Sequence, residues 1–268
     1  MGGNPPPRRA LGGIDRVRRV HERVRPRGES YTPAASAVGR MSLERYAPGV
    51  HVVTHALVRE ELTVLRDVGT GPTRFRRGLE RLGRLTGEVL CDERFGTEPV
   101  AVETPLTTTE GVRVAGREDV VLVNVLRAAT PMVEGLWEAF PDASGGAISA
   151  SRLEHAGRDE DGTFPIEVQY VKLPAIGGED TVIVADPMLA TGSTMEAVLD
   201  AIEEVAPADG PSRVICCAAV AAPAGIERVR DHALDVEIVT AAVDDYLDDD
   251  GFIVPGLGDA GDRAFNTR

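Results

Sequence analysis

The densest chemistry in the chain lies in TVIVADPMLATGST, residues 181 to 194. A short β-branched run ends in Asp186, and Thr191, Gly192, Ser193 and Thr194 come just before an apolar pattern of helical spacing (Met195, Val198, Leu199, Ile202, Val205). A strand, a turn and a helix start in that order offer open backbone N–H groups, the positive end of a helix dipole, hydroxyls and a glycine that admits close approach. Together these make a phosphate cradle. No lysine follows the glycine, so this is not the Walker loop of nucleotide triphosphatases. Asp186 at the strand end suits the hydroxyls of a sugar phosphate, although an ordinary capped helix would use the same loop residues. GFIVPGLGDAGDR, residues 251 to 263, brings Gly256, Gly258 and Gly261 close together. Its backbone can turn tightly around a small planar ligand and read that ligand's N–H and C=O groups; taken alone it also reads as a glycine-rich turn. Arg127, closing another apolar run, suits a polyanion or a structural ion pair.

These residues need a scaffold that brings strand ends together. Residues 119 to 126, 181 to 185 and 213 to 220 are short, nearly continuous apolar runs that read as strands buried on both faces. Thr130 and Pro131 predict an N-cap and first helical position after the first run, with a helix to Phe140 that Pro141 stops. Thr73 predicts the N-cap of an amphipathic helix through Phe75, Leu79, Leu82, Val89 and Leu90. Strand, turn and helix repeated in this order predict right-handed βαβ units, a parallel sheet covered on both faces, and ligands beyond the carboxyl ends of its strands.

Composition narrows the function classes. The chain has 268 residues and a formal charge of −14, with 43 acidic against 29 basic side chains. Residues 1 to 40 hold nine arginines and three acidic residues, which leaves 20 basic and 40 acidic side chains in residues 41 to 268. The first 40 residues, basic and rich in Pro and Gly, are expected to stand apart from a domain spanning 41 to 268, as a disordered extension, as sequence upstream of a start at Met41, or as a basic arm. Lys172 is the single lysine. An acid excess with almost no lysine suits molar salt, where a Debye length of ~3 Å screens self-repulsion. No apolar run approaches the ~18 residues of a membrane span, and no apolar stretch follows the N-terminal arginines, so a cytoplasmic protein without a membrane partner is expected. Cys91, Cys216 and Cys217 give no disulfide framework and read as small buried hydrophobes. His21, His51, His55, His155 and His232 are scattered along the chain, and no metal-ligand spacing stands out.

Residues 182 to 194 resemble the phosphoribosyl-pyrophosphate (PRPP) signature of type I phosphoribosyltransferases. Asp186-Pro187, in place of two adjacent acidic residues, is the version seen in uracil phosphoribosyltransferases, with Ser193-Thr194 where Gly-Ser is usual. Residues 251 to 263 resemble that family's uracil-binding signature almost letter for letter, and VLRAATPMVEGL (125 to 136) resembles its L-R-A segment in an archaeal variant. THALVREELTVLRD (54 to 67), VETPL (102 to 106), QYVKLP (169 to 174) and TAAVDDYL (240 to 247) extend the resemblance over about residues 50 to 268.

The resemblance implies an α/β chain with the type I phosphoribosyltransferase fold, a central parallel β-sheet flanked by helices, with a β-arm or hood. It implies uracil plus PRPP giving UMP and pyrophosphate. By matched position, Arg127 and Arg152 would bind pyrophosphate, although Ser151 stands where the family usually has Tyr. Asp186 would hold the ribose hydroxyls, and Pro187, Met188, Leu189, Ala190, Thr191, Gly192, Ser193 and Thr194 would surround the 5′-phosphate. Ile253, Gly258, Asp259 and Ala260 would meet uracil, with Asp259 also facing PRPP or its Mg²⁺. That Mg²⁺ would arrive chelated by PRPP and not in a preformed protein site. Residues 153 to 165 would be a closing hood or a plain surface hairpin. A homodimer or homotetramer is implied, as is GTP activation near Arg76, Arg77, Gly78, Leu79 and Glu80, a stretch that also reads as an exposed helix face. A phosphoribosyltransferase for another base, and a PRPP- or UMP-sensing RNA-binding regulator on the same fold, are the alternatives. The net −20 of residues 41 to 268 opposes nucleic acid as a partner.

Overall fold

A computed structural model describes residues 42–152 and 165–267. The basic extension and the hood or hairpin expected at 153 to 165 therefore lie, but for Pro165, outside the described residues. Along the chain run β1 (Leu43–Ala47), β2 (Val50–Val53), α1 (Ala56–Arg66), α2 (Pro72–Arg94), β3 (Thr97–Glu103), β4 (Thr108–Val114), β5 (Val120–Leu126) and α3 (Thr130–Ala139). Next come β6 (Ser144–Arg152), β7 (Ile166–Lys172), β8 (Thr181–Ala185), β9 (Met188–Leu189), α4 (Ser193–Val205), β10 (Arg213–Ala218), β11 (Val220–Ala221) and α5 (Pro223–Arg230). The chain finishes with β12 (Val236–Thr240), β13 (Tyr246–Leu247), β14 (Ile253–Val254) and α6 (Ala260–Phe265).

Eight strands form one sheet in the order β1-β2-β12-β10-β8-β5-β6-β7. The six inner strands run parallel, and β1 and β7 close the two edges antiparallel. β5 and β8 are buried almost throughout, as expected of parallel strands covered on both faces. From β5 the chain crosses through α3 to β6 on one side; from β8 it crosses through α4 to β10 on the other. Right-handed crossovers that leave in opposite directions put α3 on one face and α4 on the other. The sheet therefore has its switch point between the carboxyl ends of β5 and β8, where such sheets hold ligands.

Three expected boundaries move, each for a local reason. α2 starts at Pro72 with Gly71 as its extended N-cap, not at Thr73, because proline lacks the N–H that the first turn leaves orphaned. α3 takes Ala129 as its cap, and Thr130 becomes the first helical residue, its Oγ1 accepting from Asn124 Nδ2 at 3.1 Å. The run 213 to 220 breaks at Ala219, since the Ala219 and Val220 N–H groups both donate to Pro187 O at 3.1 Å. β11 then pairs with β9 in place of the main sheet.

Backbone contact sets the α2–α3 crossing. A Cβ on Gly83 would lie 2.0 Å from Met132 O, and one on Gly135 1.8 Å from Glu80 O. Phe75, Leu79, Leu82, Leu136 and Phe140 are fully buried around this crossing. Glu61 on α1, 2% exposed, receives Arg74 and Arg81 of α2, each at 2.8 Å. The crossing holds α3, and so fixes the turn that joins α3 to β5. Gly135→Ala is expected to destabilise the fold by about 1–3 kcal/mol through overpacking, whereas Gly178→Ala, with open space around it, should stay within about 0.5 kcal/mol of the wild type. Urea denaturation of the two variants side by side checks this.

Candidate functional site

A cleft of about 810 Å³ opens at the switch point. The turn after β5 (Leu126, Arg127, Ala128) and Ala150 and Ser151 of β6 form one wall. Asp186, Met188, Ala190 and Thr194 form the second, and residues 250–253 with Asp259, Gly261 and Asp262 the third. The in-register ladder from Val120↔Thr181 to Asn124↔Ala185 makes β5 and β8 finish within two residues of each other, which puts Arg127 and Asp186 on neighbouring turns. The Leu126–Arg127 peptide is cis, and the turn is closed by Ala129 N–H donating to Val125 O and Thr130 N–H to Arg127 O, each at 3.2 Å. The Arg127 guanidinium lies 5.5 Å from the centre of the Phe265 ring, a cation–π contact.

The phosphate loop is held from below by its backbone. Gly192 caps α4 in the left-handed region at φ 83°, and a Cβ there would come within 3.0 Å of Arg228 Cβ. A Cβ on Gly225 would lie 2.6 Å from Ala190 O, so the loop rests directly on α5. Arg228 Nη1 joins Glu196 Oε2 at 3.0 Å and ties the two helices together. Thr191 Oγ1 and Ser193 Oγ are 3.2 Å apart, and the Ser193 N–H points to Thr191 Oγ1 at 3.4 Å. Glu196 N–H is the first to reach back, to Gly192 O, so the Thr194 and Met195 N–H groups have no acceptor among the described residues. Open N–H groups at a helix start bind anions.

Opposite this loop, Asp259 is the N-cap of α6: its Oδ1 accepts from Asp262 N–H at 2.7 Å. Gly256 and Gly258 turn through φ 57° and 74°, and the Val254–Pro255 peptide is cis. Ile253 is 7% exposed yet borders the cleft.

The fold thus gathers Arg127, Asp186, Met188, Ala190, Thr194, Ile253 and Asp259 around one space. Pro187, Leu189, Gly192, Ser193 and Ala260 are buried behind that lining, and Thr191 and Gly258 flank it. Arg152 ends β6 opposite Ile166, and its side chain lies outside the described part. Of the five residues matched to an effector, Gly78 and Leu79 face the core, and Arg76 Nη1 donates to Ala264 O at 2.6 Å; Arg77 is exposed and Glu80 half-buried.

Four carboxylates (Asp186, Asp250, Asp259 and Asp262) and one guanidinium line the cleft among the described residues. A polyanion entering it needs a cation to offset them, and hard oxygen donors of this kind fit Mg²⁺. The thiols behind the cleft do not compete for that role. Burial pushes Cys216 and Cys217 well above the ordinary thiol range, where they stay protonated. The histidines, scattered in sequence, are not all scattered in space: Asp200, Glu203 and His232 place ligand atoms within 4.8 Å of one another. Leu234 N–H donates to His232 Nδ1 at 3.0 Å, which puts the ring proton on Nε2, 3.1 Å from Asp200 Oδ1. Neither ring nitrogen is left to bind a metal.

Arg66, Asp244, Arg263 and Phe265 escaped the sequence reading. Arg263 Nη1 donates to Leu65 O and to Leu257 O, the latter at 2.7 Å, and its Nη2 to Asp67 O at 2.6 Å. The same guanidinium lies 4.3 Å from the centre of the Phe75 ring. Burial lowers its pKa from the usual arginine value, with Asp67 opposing. In the sequence an arginine in a short C-terminal helix reads only as a partner for the helix dipole, and nothing names the carbonyls it reaches.

The parallel sheet, the phosphate loop at its switch point and the basic turn beside it define a phosphoribosyltransferase of the type I fold. Residues 52–267 match the family described as uracil phosphoribosyltransferase. A uracil phosphoribosyltransferase of Haloarcula marismortui is 61% identical over 216 residues, covering 81% of this chain and 95% of that protein. One from Pyrobaculum arsenaticum is 50% identical over 218 residues, covering 81% and 99%. The solved structure of the AQ2163 protein from Aquifex aeolicus is 29% identical with a TM-score of 0.71, covering 81% of this chain and 98% of that one. The chain belongs to the uracil phosphoribosyltransferase family.

Asp259 holds a helix start as well as bordering the cleft, and the two roles separate by substitution. Asp259→Ala is expected to lose about 1 kcal/mol of stability, while Asp259→Asn, an equally good cap, should keep it. Thermal unfolding of both variants reads the difference.

Proposed function

We propose that PRPP lies across the crevice between the ends of β5 and β8, with uracil held against the 253–260 segment. The chain transfers the 5-phosphoribosyl group from PRPP to uracil, giving UMP and pyrophosphate, the pyrimidine-salvage reaction of its family. The observation that carries the placement is the convergence of Arg127, Asp186, Thr194 and Asp259 on one cleft from three separate stretches of sequence.

Displacement at the anomeric carbon passes through an oxocarbenium-like state, so catalysis rests on holding both reactants in line and stabilising the departing pyrophosphate. In this arrangement Arg127, steadied by Phe265, takes pyrophosphate oxygens through its guanidinium fork. Arg152, one strand further along the sheet, joins it on the strength of the family match. Asp186 receives the ribose hydroxyls, and the backbone of Ala190 to Thr194 cradles the 5′-phosphate. The backbone at Ile253 and from Gly258 to Ala260 reads the pyrimidine edge, and Asp259 accepts the proton that uracil N1 gives up. Asp186 and Asp259 would face Mg²⁺ brought in by PRPP, which supplies charge neutralisation of the pyrophosphate when bound.

Three further readings have partial support. Exposed Val102, Leu106 and Val112 on the β3–β4 hairpin suit burial against another copy in a homodimer or homotetramer. A GTP effect would act through Arg76, Arg77 and Glu80, because Gly78 and Leu79 are buried. The acid excess favours work in molar salt, and residues 1 to 40 contribute nothing to the chemistry.

A panel of uracil, cytosine, orotate, adenine and hypoxanthine with PRPP and Mg²⁺ in molar KCl tests the reading, run on the full chain and on one beginning at Met41. UMP from uracil alone, at equal rates in both chains, is the expected result; no UMP would overturn it. Arg127→Ala and Asp259→Asn should each lower kcat/KM by about 10²-fold or more. Because Asp259→Asn keeps its cap, its loss will report chemistry and not unfolding.

A further inference from the structure

Asp244, between β12 and β13, is 6% exposed and its carboxylate accepts three hydrogen bonds. Arg66 Nη2 donates to Oδ1 at 2.6 Å, Arg66 Nη1 to Oδ2 at 2.9 Å, and Gly256 N–H to Oδ2 at 2.9 Å. Arg66 Nη1 also donates to Gly256 O at 3.0 Å. One ion pair therefore grips both the N–H and the C=O of a single glycine. The position needs glycine, since at φ 57° a Cβ would lie 2.0 Å from Ile253 O. The next carbonyl, Leu257 O, is held by Arg263 Nη1 at 2.7 Å. Both polar groups of Gly256 and the carbonyl of Leu257 are thus engaged, and the N–H groups of Gly258 and Asp259 are left without acceptors among the described residues.

We infer that Arg66 and Asp244 are positioning residues for the nucleobase, fixing the peptide orientation from 256 to 259 that decides which edge of the pyrimidine is read. This rests on the placement of uracil against residues 253 to 260. Neither side chain lines the cleft, so neither touches substrate. Apart from Asp259, whose carboxylate is held by Asp262 N–H, the PRPP side is built from the turns after β5 and β8, which among the described residues carry no side-chain bond to this pair. The backbone links between the two sides, Asp244 N–H to Ala221 O at 2.8 Å and Ala221 N–H to Ala242 O at 3.0 Å among them, are unaffected by substituting the side chain. Loosening the pair should therefore weaken uracil binding and leave PRPP binding alone, a split that a general loss of stability would not produce.

The test is steady-state kinetics of Arg66→Lys and Asp244→Asn, varying each substrate in turn. Arg66→Lys keeps a cation beside Asp244 but loses the fork that also reaches Gly256 O; Asp244→Asn keeps an acceptor for Gly256 N–H but loses the charge. Each is expected to raise KM for uracil by about tenfold, the loss of a charge-assisted hydrogen bond, with KM for PRPP within about twofold of wild type. The double variant should cost less than the product of the singles, since both act on one glycine. Should Asp244→Asn fail to fold, Arg66→Lys decides alone. An active wild type whose folded variants leave KM for uracil unchanged, or raise both KM values together, overturns the positioning role. An inactive wild type overturns the placement of uracil, and this role with it.

Discussion

The site depends on one topological constraint: β5 and β8 are parallel neighbours in register, and the chain leaves them in opposite directions. Two turns that would collide if both crossed the same way instead diverge, and a crevice opens above the strand ends. Arg127 and Asp186 face the same space because the two strands finish within two residues of each other. A slip of one residue would exchange side chains between the two packed faces of β5 or β8 and move Arg127 relative to Asp186.

Around that crevice the protein shapes its backbone mainly by excluding side chains. Gly83 and Gly135 let α2 and α3 touch through backbone, Gly192 and Gly225 let the phosphate loop rest on α5, and Gly256 lets the base-side turn fold over Ile253. At each of these a Cβ would press into the facing segment, at four of them into a carbonyl oxygen within 2.6 Å, so the contact distances are set by backbone and not by flexible side chains. Arginines closing on buried carboxylates then lock the result. Glu61 with Arg74 and Arg81 fastens α1 to α2, and Asp244 with Arg66 fastens α1 to the turn at Gly256.

Charge separates the surface from the site. The acidic excess is spread over the domain, and the cleft proposed to take a polyanion itself holds four carboxylates and one described guanidinium. Open N–H groups at the start of α4 supply fixed positive ends without a formal charge, and the carboxylates suit a hard divalent cation arriving with the substrate. Salt screening weakens the surface repulsion more than it weakens these short, partly buried contacts.

By itself the sequence determined whatever is contiguous. Residues 181 to 194 hold strand, acid, hydroxyls and glycine in one stretch, so the strand, its loop and the helix that follows were legible, as were the buried strands and the glycine-rich turn. Helix caps were misplaced by two residues at Thr73 and by one at Thr130, because capping depends on neighbours the local pattern does not include. Only the tertiary structure paired Arg66 with Asp244, 178 residues away, set Phe265 against Arg127, and buried two of the five residues at 76 to 80 that read as an exposed face. Such pairings are not local propensities. They follow from which helix crosses which face of the sheet, and that is fixed only when the whole apolar core closes at once.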